Sequence, residues 1–336
     1  MKIGIDCRTI LNPAHGEKAG VGYYTHHLVE SLLALDKENT YVLFFDSRFK
    51  GANKFKRDNV AIRFFPFYQY KKYLPIAYSQ MLISAVLNRE NLDVFHSPAN
   101  VIPLFYNRPS VLTIHDLAIY KFPKFFPKKF LNRQTFSTQV LVPRSVRKAS
   151  QIISISKNTK TDIVEEFSIP EDKIQVVYEG VEKYEKKEDC KEIKEKYGVT
   201  GRYILFLGTI EPRKNIVSLI KAFRNLRLVL DSPAKDCQLV IAGSSGWSDA
   251  GVYEAISDAN AAISGVGKRR SGRERRSGLD ARSDGLKKKQ GERRSGTERR
   301  IATPIKHIGY VSHEEKICLL GNATAFVFPS LYEGFG

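Results

Sequence analysis

The sequence has few of the residues that build metal sites or covalent cross-links. It contains four cysteines and no C-x-x-C pair among them. This excludes a zinc-finger pattern and a disulfide-rich secreted scaffold, and the scattered thiols are expected to be reduced, as in a cytosolic protein. The four positions are Cys7, Cys190, Cys237 and Cys318.

Long apolar runs are also missing. No stretch approaches the length that a bilayer crossing requires, and Met1 and Lys2 lead directly into a strand-like segment rather than into a signal peptide. Hydrophobic residues nevertheless make up 42% of the 336 residues, which is enough for two domains with proper cores. The sequence therefore predicts a cytoplasmic protein and leaves open a peripheral contact with the inner face of the plasma membrane.

Acidic residues are scarce relative to basic ones. Lys and Arg number 54 against 36 Asp and Glu, which gives a net charge of +18. From Ser264 to Ile301, 14 basic residues stand against 5 acidic ones in a repeat with a period of six. Because it has almost no apolar side chains, this segment, residues 264–301, is predicted to be a disordered basic insert. It is either a tolerated expansion of a surface loop or a polybasic tether for a membrane or RNA.

Strand and helix patterns alternate along most of the chain. This alternation predicts mostly parallel, doubly wound α/β sheets, whose ligands bind beyond the carboxyl ends of the strands. A charged break at residues 181–200 predicts a linker and first helix between an N-terminal domain, 1–180, and a C-terminal domain, 201–336. The predicted strands are Lys2–Asp6, Thr40–Phe45, Val60–Phe64, Asp93–His96, Ser110–Ile114, Gln151–Ser154, Lys173–Tyr178, Tyr203–Leu207, Gln238–Ala242, Ile305–Ile308 and Ala325–Phe328.

One strand, loop and helix carry the most specific pattern. The apolar run Tyr203–Leu207 ends at Gly208, and a helical spacing of apolar residues follows shortly after. Arg213 and Lys214 stand at the expected helix start, where cations are unfavourable and free N–H groups favour an anion. A phosphate or diphosphate would satisfy these donors together. The alternative is that both cations are simply solvated on the shoulder of the helix.

This loop and the C-terminus together carry a family resemblance. Residues 208–215 read G-T-I-E-P-R-K-N, and residues 329–336 read P-S-L-Y-E-G-F-G. The first resembles the phosphate-binding loop of the retaining GT-B glycosyltransferases of family 4, and the second resembles the start of their signature with two glutamates. The resemblance covers nearly the whole chain except the basic insert. It implies two Rossmann-like domains facing a cleft and a metal-independent, retaining transfer of a hexose from a nucleotide sugar to an acceptor hydroxyl.

The resemblance also implies roles for individual residues. Arg213 and Lys214 would stabilise the leaving diphosphate, Glu333 would hold hydroxyls of the transferring sugar, and His115, at the end of its strand, would lie near the donor sugar; these four are the predicted catalytic residues. His96 is predicted to be structural. The predicted donor-binding residues are Gly20, Gly22, Gly208, Arg213, Lys214, Gly309, Tyr310, Val311, Glu333, Gly334, Phe335 and Gly336.

Two features depart from the family pattern. Many members follow the glycine pair at Gly20 and Gly22 with Arg, where this chain has Tyr23, so an acceptor contact by that Arg is not expected. The second signature glutamate would fall beyond Gly336. The sequence is therefore expected to be a fragment truncated in its second domain, and the activity of this fragment is left open.

The expected partners follow from the same resemblance. No cofactor is expected besides the nucleotide-sugar substrate, for which GDP-mannose is the first expectation and a UDP-sugar the second. The acceptor would be a glycan or lipid-linked molecule in the synthesis of cell-surface polysaccharide or glycolipid, and no specific nucleic acid is expected. The alternatives are a sugar-nucleotide epimerase of GT-B fold, an inactive fragment, or a basic nucleic-acid-binding protein.

A second surface feature is a mixture of basic and aromatic residues between Tyr120 and Phe136. Together with Lys71, Lys72 and Tyr73, it would suit an anionic membrane that carries a lipid-linked acceptor. The alternative is an ordinary loop in which lysine stems cover core aromatic rings.

Overall fold

The protein forms two α/β units, each built on its own parallel sheet. The computed structural model describes residues 1–10, 20–65, 76–181, 183–185, 189–229, 232–247, 249–273 and 303–335. One unit contains Met1–Val181 and Glu333–Gly336, and the other contains Glu182–Tyr332.

The described residues of the first unit form a sheet of seven parallel strands in the order β3-β2-β1-β4-β5-β6-β7. The order reverses between β1 and β4, and ligands of such sheets bind in the loops at that point. A π-helical turn, Ser137–Leu141, joins α4 to α5. The elements are β1 (Lys2–Asp6), α1 (Gly20–Leu35), β2 (Thr40–Asp46), β3 (Val60–Phe65), α2 (Ile76–Arg89), β4 (Val94–Ser97), β5 (Ser110–Ile114), α3 (Ala118–Lys121), α4 (Lys128–Phe136), α5 (Val142–Lys148), β6 (Gln151–Ser154), α6 (Lys157–Phe167) and β7 (Ile174–Val176).

The core of this unit lies on both faces of the sheet, as strand β2 shows. Val42 and Phe44 belong to one buried cluster, whereas Tyr41, Leu43 and Phe45 belong to the other. Successive side chains of a strand point to opposite faces, so an almost continuous apolar run is what a strand needs when helices cover both sides.

In the part of the second unit that the structure describes, four parallel strands follow the order β10-β9-β8-β11. It is also buried on both faces, since Phe206 of β8 packs in one cluster and Leu205 in the other. The elements are α7 (Lys191–Tyr197), β8 (Tyr203–Leu207), α8 (Ile216–Leu228), β9 (Gln238–Ala242), α9 (Ala250–Arg273), β10 (Ile305–Gly309), α10 (His313–Asn322) and β11 (Ala325–Phe326). The prediction of doubly wound α/β structure is confirmed.

The basic insert begins later than its composition predicts. Helix α9 continues to Arg273, so the prediction of a disordered loop from Ser264 onward is wrong for residues 264–273. The start of α9 is anchored because Val252 and Ala259 are buried in the core. Lys and Arg are good helix formers, so the basic residues can extend a helix that the core has already nucleated. The rest of the insert, residues 274–301, lies outside the described residues.

The cysteines are only partly as predicted. Cys7 and Cys237 are free and buried, whereas Cys190 and Cys318 form a disulfide with their Cα atoms 5.9 Å apart. The prediction of four reduced thiols is therefore wrong for this pair. The two residues are 128 positions apart in sequence and meet because α7 packs against α10, a contact that cysteine spacing does not encode.

Candidate functional site

The loop after β8 differs in one respect from its sequence-based interpretation. Pro212–Lys214 form a separate 3-10 turn, and α8 begins only at Ile216. Asn215 lies between them in the left-handed region, with φ of 56°, and its side-chain amide donates to the carbonyl of Pro329 over 3.2 Å. Arg213 and Lys214 therefore stand on the turn before the helix rather than in its first turn, and the cost expected from the helix dipole is reduced because that effect is local.

Arg213 is held by a carboxylate that sequence reasoning overlooked. Its Nε donates to Oε1 of Glu211, which is buried. Its Nη1 donates to the carbonyl of Tyr332 over 3.4 Å, and its own carbonyl accepts from the N–H of Leu331 at 2.8 Å. The pair fixes the Arg213 side chain and compensates part of its charge. The signal was available in the sequence, since Glu211 precedes Arg213 by two residues.

Lys214 is buried, although it is a lysine. The residue is only 8% exposed, and its Nζ lies 4.6 Å from the centre of the Phe328 ring. Phe328 in turn stacks on Phe206 of β8, with ring centres 6.1 Å apart. A desolvated ammonium group held above an aromatic ring interacts more strongly with an anion than a solvated one does.

Two neighbouring strand ends bring glycine backbones together beside this loop. A Cβ on Gly243 would lie 1.9 Å from the carbonyl oxygen of Gly208, and both glycines have positive φ, 147° and 154°. The N–H of Gly243 donates to the carbonyl of Gly309 over 2.7 Å. The predicted residues Gly208 and Gly309 are thus joined through Gly243, which the prediction did not include.

The loop after β10 carries two further predicted residues. Tyr310 is 60% exposed, whereas Val311 packs against the core cluster on one face of the sheet. Gly309 has φ of 74°, a conformation that favours glycine. The ring of Tyr310 is therefore available to a ligand, and Val311 acts mainly in packing.

In the first unit, His115 follows β5 directly and both of its ring nitrogens face oxygen atoms. Nε2 lies 2.8 Å from the carbonyl of Pro98, and Nδ1 lies 3.3 Å from Oε1 of Glu179. The ring also packs edge-on against Tyr24 of α1, with centres 4.8 Å apart, and the backbone N–H donates to the side chain of Asn100. Glu179 is a second carboxylate that sequence reasoning missed.

His96, which was predicted to be structural, is buried beside this group. Its Nε2 lies 2.8 Å from Oγ1 of Thr113. Burial lowers the pKa of His96 to about 4, and the nearby His115 contributes in the same direction.

The low pKa of His96 predicts an acid-sensitive fold. The unfolded chain binds a proton at this histidine below about pH 6.5 and the folded chain does not, so stability is complete above that pH and falls as pH drops toward 4. The free energy of unfolding should fall by about 2 kcal/mol from this group between pH 7.5 and 5. Urea unfolding of the wild type and of His96→Gln at both pH values measures it. An equal pH dependence in the two proteins would contradict the assignment to His96.

The predicted residues at the C-terminus pack within the first unit. A Cβ on Gly334 would lie 1.9 Å from the carbonyl oxygen of His115, and the Gly334 carbonyl accepts from the hydroxyl groups of Ser156 and Thr159 over 2.5 and 3.1 Å. Glu333 is half-buried, and the ring of Phe335 lies 6.3 Å from that of Tyr178. The structure thus brings this segment to His115. Gly336 lies outside the described residues.

Gly20 and Gly22, the remaining predicted donor-binding residues, begin α1. Within the described part of the chain, which leaves out residues 11–19, no heavy atom lies within 4 Å of a Cβ placed on Gly20, whereas Gly22 is buried within the helix. Gly22 therefore serves packing, whereas Gly20 has no close neighbour among the described residues.

The basic and aromatic segment is partly ordered by its own contacts. Phe122 stacks on Phe125, and Phe126 stacks on Phe130, with ring centres 5.6 and 5.5 Å apart. Lys121 is not free for an anionic surface, because it pairs with Asp162 and Glu165 of α6. Lys71, Lys72 and Tyr73 lie outside the described residues. Of the helices described here, none has the length and apolar character needed to cross a membrane.

Two family models match the chain one after the other. Residues 19–183 match "Glycosyltransferase Family 4" and residues 189–336 match "Glycosyl transferases group 1". Together the two matches cover most of the chain.

Two curated relatives are mannosyltransferases. The chain is 25% identical over 247 residues to the O-antigen chain mannosyltransferase B of Escherichia coli. The aligned region covers 72% of this chain and 52% of that protein. It is 30% identical over 122 residues to the O-antigen chain mannosyltransferase RfbU of Salmonella typhimurium. This aligned region covers 36% of this chain and 30% of that protein. The chain thus spans about half the length of the first relative and less of the second.

Solved structures share the fold. HepE from Anabaena, in complex with UDP and glucose, matches 98% of this chain and 74% of its own length with a TM-score of 0.55 and 14% identity. The two parallel-sheet units correspond to the two Rossmann-like domains of a GT-B glycosyltransferase, so the predicted fold class is confirmed.

Proposed function

We propose, on the premise that this chain belongs to the glycosyltransferases, with a family 4 domain followed by a group 1 domain, that it transfers a hexose from a nucleotide sugar to an acceptor hydroxyl with retention. The observation that carries the proposal is the loop after β8. There, a buried lysine and a carboxylate-held arginine stand beside the glycine backbones of neighbouring strand ends.

The chemistry assigned to this loop is stabilisation of the leaving diphosphate. Negative charge grows on the diphosphate as the glycosidic bond breaks, and a preorganised cation in a poorly solvated place stabilises that charge without reorganisation. Lys214 supplies this cation, and Arg213 is the second. The leaving oxygen then accepts the proton of the acceptor hydroxyl on the same face of the sugar. Glu333, at the position of the family's first signature glutamate, holds the hydroxyls of the transferring sugar.

The donor we propose is GDP-mannose, with a UDP-sugar as the alternative. The two relatives described above are named as mannosyltransferases of O-antigen chains, which favours mannose and the synthesis of cell-surface polysaccharide. The structure of HepE contains UDP and glucose, which supports the alternative. The acceptor is a glycan or a lipid-linked glycan.

A lipid-linked acceptor requires access to a membrane surface, and we assign this contact to residues 120–136. Lys124, Lys128 and Lys129 are exposed there, next to half-buried phenylalanine rings. Cations flanking aromatic side chains favour binding to an anionic bilayer surface.

Slow hydrolysis of the donor tests the proposal without knowledge of the acceptor. Calorimetry should show binding of GDP-mannose or of UDP-glucose. Proton NMR of the reaction mixture should show the α-anomer of the released sugar first, because retention preserves the donor's configuration. Hydrolysis should survive EDTA, since cationic side chains perform the role of a metal. Three results would contradict parts of the proposal: the β-anomer first, loss of activity with EDTA and its return with Mg²⁺ or Mn²⁺, or conversion of the donor to an epimer.

A further inference from the structure

We propose that Glu179 is a positioning residue that holds the His115 imidazole doubly protonated, so that His115 acts as a fixed cation and not as a proton acceptor. The inference concerns a pair of side chains within the first unit. Its effect on turnover rests on the proposed function, whereas the protonation of the ring can be measured independently of any activity.

The first step comes from hydrogen bonding at Nε2. This nitrogen lies 2.8 Å from the carbonyl oxygen of Pro98, and a carbonyl oxygen can only accept. Nε2 therefore carries a proton and donates a hydrogen bond to the carbonyl oxygen of Pro98.

The second step concerns the other nitrogen. Nδ1 lies 3.3 Å from Oε1 of Glu179. If the ring were neutral and the carboxylate ionised, two lone pairs would face each other, so the contact requires one further proton. An imidazole is a stronger base than a carboxylate, and the proton therefore resides on Nδ1. His115 then donates from both nitrogens, and its positive charge is compensated by Glu179.

The other groups around the ring favour the same state. The Tyr24 ring and the His115 ring form a T-shaped pair, and burial raises the pKa of the Tyr24 hydroxyl, so Tyr24 adds no charge. His96 is neutral near pH 7 because burial lowers its pKa to about 4. The adjacent Asp116 uses its carboxylate to accept from the backbone N–H of Ala118. Glu179 is the charged side chain in hydrogen-bonding contact with the His115 ring among the described residues.

The consequence concerns the end of β5. Both ring nitrogens are engaged by the protein, so His115 cannot remove a proton from a bound hydroxyl. Its charge and its backbone are instead fixed, and its carbonyl oxygen packs directly against Gly334. Glu179 thereby keeps a positive charge at a strand end where the donor is proposed to bind.

The test replaces the carboxylate while keeping its shape. In Glu179→Gln, the amide can donate to an unprotonated Nδ1, so the ring keeps both hydrogen bonds but loses its charge. Nitrogen-15 NMR of histidine-labelled full-length protein should show Nδ1 protonated at pH 7 in the wild type and unprotonated in Glu179→Gln. Glu179→Asp should restore part of the protonated signal. Glu166→Gln on α6, an exposed glutamate of the same unit, removes the same charge and should leave the signal unchanged.

Kinetics provide the second readout. Loss of the cation should lower kcat at least tenfold in Glu179→Gln. An unprotonated Nδ1 in the wild type at pH 7 would overturn the inference, as would an unchanged signal in Glu179→Gln. A changed signal with no donor hydrolysis in any variant would instead count against the proposed function.

Discussion

Replacing Lys214 by alanine is expected to lower kcat by roughly ten- to a hundredfold, since a hydrogen bond to a charged group contributes on the order of 1.5–3 kcal/mol and this contribution grows as the diphosphate leaves. The ammonium group is buried above Phe328, so water does not replace it effectively. The effect should appear in kcat more than in KM, because the added charge develops in the transition state.

The matched control is Lys221→Ala, which removes a lysine from an exposed position of the helix that follows the loop. Its rate should stay within about twofold of wild type, as expected for a surface substitution away from the site. Wild-type kcat in Lys214→Ala, or an equal loss in Lys221→Ala, would refute the role of this cation. Arg213→Ala is harder to interpret, because it removes the ion pair with the buried carboxylate of Glu211 and would destabilise the fold as well.

Gly243→Ala is expected to destabilise the protein by about 2–5 kcal/mol, the sum of a backbone clash and a strained φ. The new Cβ would lie 1.9 Å from the carbonyl oxygen of Gly208, and φ is 147°. Neither atom is the end of a flexible side chain, so β8 and β9 would have to separate. Thermal unfolding of the full chain should show a midpoint about 5–15 °C lower. Binding of the donor should also weaken, because Gly208 begins the loop that we propose binds the diphosphate.

Gly251→Ala provides the comparison for this prediction. Gly251 lies in the first turn of α9, and no heavy atom of the residues that the structure describes is within 4 Å of its Cβ position. The midpoint of thermal unfolding of Gly251→Ala should be unchanged or slightly raised, because alanine is a better helix former than glycine. A midpoint of Gly243→Ala within about 2 °C of wild type would show that the two strand ends move apart at little cost.

The sequence by itself determined the two sheets and most of their strands. Apolar, β-branched runs such as Ser110–Ile114 and Gln238–Ala242 coincide with β5 and β9, because a strand buried on both faces leaves an uninterrupted apolar signal. The loops after such strands were predicted to hold the functional residues, because ligands of parallel α/β sheets bind beyond the carboxyl ends of the strands. The motif around Arg213 and Lys214 was also evident from the sequence, because its glycine, proline and two cations are contiguous.

Only the tertiary structure decided how these residues are held. Glu179 is 64 positions from His115, and Gly334 is 178 positions from Ser156, and no periodicity within a strand or helix relates residues so far apart. The pairing of Cys190 with Cys318 has the same origin. Even Glu211, two residues from Arg213, was not recognised as its partner, because the 3-10 turn that brings them together replaces the helical turn that the pattern predicts. Local sequence specifies the elements, whereas contacts between distant elements fix the charge and orientation of the side chains at the site.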